Sequence, residues 1–273
     1  RMGYSIDVNQ SNFEQEVIQV SYKSLVLVDF YATWCGPCQI LKPILEKLVT
    51  EYDFIVAKID IDQNPELASQ YGVEGVPDVR IVRQGEIHPG FVGALTEAQI
   101  RQTLSQLNLK SNFEQSLEAL KNAIAQKDFP TGKQLLDQLF SQYPDRPEVV
   151  LEAANFLILL NQTENAEKLL NTIREDQRDF FAKAQALKQL IQFKKDVTFS
   201  GESQLEQNYA KACQLTLTED YPEALSLFLE IVSTNRKFKE DGARKAMLTI
   251  FNLLGDDHPL TKEYRKKLML QLY

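Results

Sequence analysis

The sequence predicts an α/β domain with a mixed sheet, followed by an all-α array of helical pairs. Three observations carry that reading. Apolar runs of strand length alternate with helix-period segments through the first hundred residues, almost no strand pattern appears after them, and the later helices recur in pairs at a shared spacing. At 273 residues the chain is longer than one compact domain usually is, and its 44 % apolar and 25 % charged composition is that of a globular protein. Two domains are therefore expected, residues 4–108 and 113–273, joined by a short polar link at 109–112.

In the first domain SLVLVDFYA (Ser24–Ala32) is an apolar run broken only by Asp29, as in a strand buried on both faces. It leads directly into the pair Cys35 and Cys38. Beyond it Ile40, Leu41, Ile44, Leu45 and Leu48 fall at helical spacing, and Pro43 should bend that helix without ending it. FIVAKIDID (Phe54–Asp62) reads as the next strand and NPELASQYG as a short helix closed by Gly72. DVRIV and EIHPGFVG form a hairpin around Gln84-Gly85, and Thr96–Leu107 is an amphipathic helix with Thr96 as N-cap. That order puts helices on both faces of the sheet.

The second half opens on SNFEQ, with Ser111 and Glu114 spaced as a capping box. The same five residues occur at Ser11–Gln15, but helix starts recur by chemistry and no duplication is implied. Helical pairs follow at 112–126 with 130–142, 146–161 with 163–174, 203–217 with 221–234, and 238–254 with 258–272, plus a long single helix near 176–195. Gly132 and Ala166 align 34 residues apart, the tetratricopeptide length. Ala224 stays in phase only if a helix of about 24 residues interrupts the array. Asp128-Phe129-Pro130 returns as Asp220-Tyr221-Pro222, while the usual Trp, Gly and Tyr of such repeats are missing. A degenerate α-solenoid is expected.

Net charge is −8, divided as eight basic against fourteen acidic side chains in residues 1–108 and 22 against 24 in 109–273. That balance argues against nucleic-acid or membrane-surface binding, which needs a basic face. Residues 236–273 reverse it locally, with nine basic and five acidic side chains. No apolar run reaches spanning length, and the amino end shows no secretory signal pattern. One C-x-x-C pair and a distant Cys213 make no disulfide framework, so a reducing cytoplasm is the expected compartment. Cys213, among small and apolar neighbours, should be buried and inert. With no second C-x-x-C and with His88 and His258 far apart, neither a metal nor a cofactor is expected.

Placement supplies the chemistry of the pair. Cys35 would stand at a helix N-terminus, where unpaired N–H groups and the macrodipole favour an anion. Lowering its pKa from about 8.5 to about 7 is worth roughly 2 kcal/mol of preference for thiolate. Cys35 is then the attacking sulfur and Cys38, one turn on, the resolving one, with Gly36 and Pro37 shaping the turn between them. Asp29, alone in an apolar strand, must be protonated or paired. Asp78, beside the site, would oppose a thiolate, and Arg80 inside VRIV needs a carboxylate partner or an open face.

Residues 4–108 resemble a thioredoxin domain along their length. The resemblance rests on WCGPC after a strand carrying Asp29, AKIDIDQNP with Lys58, GVEGVPD with Pro77, and VGAL with Gly93. It implies that Asp29 assists proton transfer to Cys38 with Lys58 nearby, against a competing reading of a structural Asp–Lys pair. It further implies a cis-proline at Pro77, a Val76 backbone that pairs with an extended substrate peptide, and Trp34 and Gly93 on the same binding surface.

A thioredoxin domain ahead of degenerate repeats, with the ending LGDDHPLTKEYRKKLMLQL, resembles the chaperedoxins, the CnoX/YbbN family. This implies a redox-competent holdase that binds unfolding client proteins, forms mixed disulfides with their cysteines and passes them to the chaperonin and the Hsp70 system. The alternatives are a protein disulfide reductase recycled by thioredoxin reductase, with the repeats as an adaptor for one partner, and a redox-inert scaffold. On the last helix Leu260, Tyr264, Leu268 and Leu272 form an apolar stripe beside Lys262, Arg265, Lys266 and Lys267. Leu260, Tyr264, Arg265 and Leu268 are expected to dock a chaperone partner; the competing reading is a cap packed on ARKAMLTIFNLLG.

Overall fold

The computed structural model describes residues 3–198 and 201–273. The chain divides into two compact units, Arg1–Ala119 and Leu120–Tyr273. In the first, five strands are ordered β1-β3-β2-β4-β5. β1 (Tyr4–Asp7), β2 (Val26–Tyr31) and β3 (Ile55–Asp60) run parallel, whereas β4 (Asp78–Arg83) lies antiparallel to β2 and β5 (Glu86–Val92) antiparallel to β4. Leu25, Leu27, Val56 and Val79 face α1 (Gly36–Glu51) and α3 (Glu97–Gln106) through Leu41, Leu45, Leu48, Ile100 and Leu104. Val26, Val28, Phe30 and Ile59 cover the other face with Val17 and with Leu67 of α2 (Pro65–Gln70). α1 continues through Pro43. Gln84 and Gly85 both take positive φ, 52° and 77°, as a two-residue hairpin turn requires. Thr96 and Gln99 complete a reciprocal capping box on α3.

Three elements escaped the sequence reading. β1 is a short, partly exposed edge strand whose YSID segment is too brief for a period-2 signal. The helical turns Glu14–Gln19 and Val20–Tyr22 bury Val17. They start from Asn9, whose Oδ1 accepts the Ser11 and Asn12 N–H groups at 2.9 and 3.2 Å. The two SNFEQ copies fold differently: at 111–115 it is Ser111 Oγ that accepts, from Glu114 N–H at 3.1 Å, and opens α4 (Asn112–Ala125).

Every later element among the described residues is a helix: α5 (Phe129–Gln142), α6 (Pro147–Leu159), α7 (Thr163–Leu170), α8 (Arg178–Asp196), α9 (Gln204–Leu217), α10 (Tyr221–Thr234), α11 (Gly242–Leu254) and α12 (Pro259–Leu272). The repeat phase is visible in the turns. Lys127, Asn161 and Glu219 each take positive φ (58°, 60° and 63°) between the helices of a pair. The N–H that follows returns to the helix five residues back, Asp128 to Ala123, Gln162 to Leu157 and Asp220 to Leu215, at 2.8–2.9 Å. Gly132, Ala166 and Ala224 lie buried five residues beyond these turns, in the second helix of each pair. A Cβ on Gly132 would stand 3.1 Å from the Phe156 ring, which shows why the position is small. The interrupting helix is α8, which gives Ala184, Leu187 and Ile191 to the α6–α7 cluster and Phe193 to the α9–α12 cluster. The helix expected from 238 begins only at Gly242, because Lys239, Glu240 and Asp241 all adopt positive φ. No helix among the described residues is long and apolar enough to cross a membrane.

Candidate active site

Cys35 is the N-cap of α1, with extended backbone (φ −87°, ψ 113°), and its Sγ accepts the Cys38 N–H at 3.2 Å. The geometry answers the expectation of an anion-favouring helix start. Cys35 and Cys38 form a disulfide with their Cα atoms 5.2 Å apart, in a pocket of Ala32, Tyr31, Ile61 and Val76. The Val76–Pro77 peptide is cis, and the Val76 carbonyl oxygen lies 3.6 Å from Cys35 Sγ. Gly93 N–H donates to the Pro77 carbonyl at 2.8 Å, joining the VGAL segment to GVEGVPD. Trp34 is 69 % exposed, and its Nε1–H donates to Asp62 Oδ2 at 2.8 Å. Asp62 is a positioning contact that the sequence reading missed, since only the folded β3–α2 loop brings it to Trp34.

Asp29 lies on β2 directly opposite Lys58 of β3. Its carboxyl group is buried, and burial pushes its pKa up to about 7 against the opposing pull of the Lys58 ammonium. Asp29 Oδ1 has no hydrogen-bond partner, and Lys58 Nζ pairs instead with Asp7 Oδ1 at 3.5 Å. A cavity of about 420 Å³ joins Asp29 to Cys38, with Asp7, Tyr31, Lys42 and Lys58 also on its walls. A carboxyl group that is half-ionised near neutral pH thus shares an open cavity with the Cys38 sulfur, an arrangement suited to carrying a proton. Asp7, Tyr31 and Lys42 were not singled out in the sequence: Asp7 belongs to the unrecognised β1, and the other two read as ordinary strand and helix positions.

The two unusual residues of β4 satisfy each other. Asp78 is buried, and Arg80, on the same strand face, holds its carboxylate with two hydrogen bonds, Nε to Oδ1 at 2.7 Å and NH2 to Oδ2 at 3.0 Å. The guanidinium lies 6.0 Å from the Phe30 ring centroid. Asp78 is therefore not the free charge beside the thiols that its position in the sequence suggested.

In the second unit Cys213 is fully buried, and burial pushes its thiol up to about 12, so it is inert as expected. The stripe on α12 needs correction. Tyr264 and Leu268 are 7 % and 5 % exposed and Leu260 is partly buried on the same α9–α12 core, so the stripe packs inward on the chain's own helices. Arg265 is held by Asp256 at 2.7 Å and lies over the Phe251 ring. The apolar side chains exposed at this end are Met269, Leu270 and Tyr273.

Comparison with known proteins follows this division. The thioredoxin family model matches residues 5–106, and two tetratricopeptide repeat models match 123–191 and 183–273. The thioredoxin of Chlorobaculum thiosulfatiphilum is 36 % identical over 106 residues, 38 % of this chain and 96 % of that protein. The thioredoxin of Buchnera aphidicola subsp. Schizaphis graminum is 40 % identical over 111 residues, 40 % of this chain and 100 % of that protein. Among solved structures, a mutant thioredoxin from Halobacterium salinarum NRC-1 aligns with 38 % identity over 38 % of this chain and 89 % of its own, at a TM-score of 0.35.

Proposed function

Because the chain belongs to the thioredoxin family, with tetratricopeptide repeats after its thioredoxin domain, we propose that it is a redox-competent chaperedoxin acting in the cytoplasm. The Cys35 thiolate attacks a client disulfide, one client sulfur leaves as a thiolate, and a Cys35–client mixed disulfide forms. Cys38, losing its proton towards Asp29, then attacks Cys35 Sγ. The client departs with both sulfurs reduced, and the two electrons it gained leave the Cys35–Cys38 disulfide behind. The groove of Trp34, Gly36, Pro37, Val76, Pro77 and Gly93 holds the client backbone in this reading. The repeats add a second contact that raises the local concentration of client around the thiol.

The observation that carries the proposal is one chain holding both an N-capping redox cysteine and a helical-repeat unit. Lys58 assists through its charge near Asp29, and the chaperonin and the Hsp70 system take over released clients. The reductase with an adaptor is kept as the second reading, because a holdase needs exposed apolar surface. Among the described residues the large apolar side chains exposed in the second unit are few: Leu159, Leu160, Leu248, Met269, Leu270 and Tyr273. Suppression of aggregation of an unrelated denaturing protein separates the two. A chain that leaves such a protein to aggregate, while Cys38→Ser traps one dominant partner through Cys35, is an adaptor recycled by thioredoxin reductase and not a chaperedoxin.

A further inference from the structure

The buried ion pair of β4 stands immediately behind the segment that touches the redox sulfur. Val76 O lies 3.6 Å from Cys35 Sγ, Pro77 follows in the cis form, and Asp78 is the first residue of β4. Among the described residues, the strand neighbours of this pair carry no charge to offset Asp78. Its register partners are Phe30 on β2 and Val92 on β5, and those of Arg80 are Val28 and Pro89. Tyr71, which packs on Phe30 from the end of α2, adds a neutral phenol, and Glu14 beside it adds a further acid rather than a counter-charge. The charged groups nearest the cysteines are separate. Asp7, Asp29, Lys42 and Lys58 line the cavity that reaches Cys38, and Asp62 is engaged by Trp34. Arg80 is thus the group that, among the described residues, pairs with and neutralises Asp78.

We propose that Arg80 is a positioning residue of the redox centre: it fixes and neutralises the Asp78 carboxylate behind Pro77, so that this charge does not oppose the thiolate at Cys35. The inference rests on the redox reading of Cys35 and Cys38. Two residues of chain, at no more than about 3.8 Å each, separate Asp78 from the Val76 that touches the sulfur, so the Asp78 charge stands on the order of 10 Å from Cys35. An uncompensated charge at that range, at an effective dielectric constant of about 20, raises a thiol pKa by about one unit. Removing the carboxylate while keeping Arg80 acts in the opposite sense, and removing both cancels.

The test uses the reduced full chain in a Cys38→Ser background, where Cys213 is buried and Cys35 is the thiol that reacts. The pH dependence of its alkylation by iodoacetamide is measured for the parent, Arg80→Met, Asp78→Asn and the double variant. Arg80→Met is expected to raise the Cys35 pKa by about one unit, Asp78→Asn to lower it by up to as much, and the double variant to return close to the parent. Arg80→Met and Asp78→Asn shifting together, or neither shifting by more than about 0.3 units, overturns the proposal. If Arg80→Met does not fold, Asp78→Asn decides alone, since an unshifted pKa in that near-isosteric variant is enough to reject it. Failure of the redox reading is recognised separately, by a native chain that cannot reduce insulin disulfides.

Discussion

Replacing Asp29 by Asn removes an ionisable group that the fold holds in the wrong solvent, and its effect has a definite sign and pH window. The carboxyl pKa is raised from 3.8 to about 7 by burial, with Lys58 pulling the other way. Below pH 3.8 the group is protonated in both folded and unfolded chains and costs nothing. As pH rises from 3.8 towards 7 the unfolded chain releases its proton while the folded one retains it, so folded-state stability falls, and above pH 7 the loss is complete. At 1.36 kcal/mol per unit, the full shift bounds the loss at about 4 kcal/mol, of which about 2 to 3 kcal/mol accrues between pH 5 and pH 7. Asp29 is only 4 % exposed, so solvent screening does not erase this. The assay is urea unfolding of the oxidised parent and Asp29→Asn chains at pH 5 and pH 8.5, followed by the fluorescence of Trp34, the single tryptophan of the sequence and a reporter on the first unit. With an m-value of about 1.5 kcal/mol per molar, the midpoint advantage of the variant should widen by about 1 to 2 M between the two pH values. An advantage that stays constant with pH would mean that Asp29 ionises at an ordinary value, and the proton-transfer role argued from the cavity would fall with it.

Cys213 should be invisible to thiol reagents in the native, reduced chain. Titration with a chromogenic disulfide should count two fast thiols and reveal the third only on unfolding; three fast thiols would contradict the fully buried position. The inward stripe of α12 predicts a contrast along one helix. Leu268→Ala should destabilise the second unit by about 2 to 4 kcal/mol in denaturant, whereas Met269→Ala, at a side chain 62 % exposed, should change it by less than about 0.5 kcal/mol. Equal effects would show that α12 packs differently.

Much of this fold was legible because its signals are local. The apolar run Ser24–Ala32 ahead of Cys35 and the Thr96–Gln99 cap are written in adjacent residues, and both appear where the sequence placed them. The helical phase could be read from Gly132, Ala166 and Ala224 because close helix contacts tolerate only small side chains. What could not be read depends on partners distant along the chain. Asp7 reaches Lys58 only once β1 pairs with β3, and Asp62 reaches Trp34 only across the site. The stripe on α12 was correctly seen as apolar, but periodicity reports that a face is buried and not against what, and here the occupant is the chain's own core. Asp78 and Arg80 looked like two faults because each was judged alone. Two positions apart on a strand, they share a face and form one salt bridge.

Helix α8 has a consequence for cooperativity. In a stack of repeats, melting is governed by the free energy of a boundary between a folded unit and an unfolded neighbour. Where neighbouring units merely touch, that boundary is cheap and ends can fray. Here the boundary between the α6–α7 cluster and the α9–α12 cluster runs through the inside of a 19-residue helix, and Leu190 packs on both clusters at once. Opening either cluster strips α8 of half its packing and leaves the other without a wall. Fraying that begins at one end of the array cannot stop at this helix, so both clusters are bound to a single transition, and an amide in α7 should exchange its hydrogen by the same global opening as one in α10.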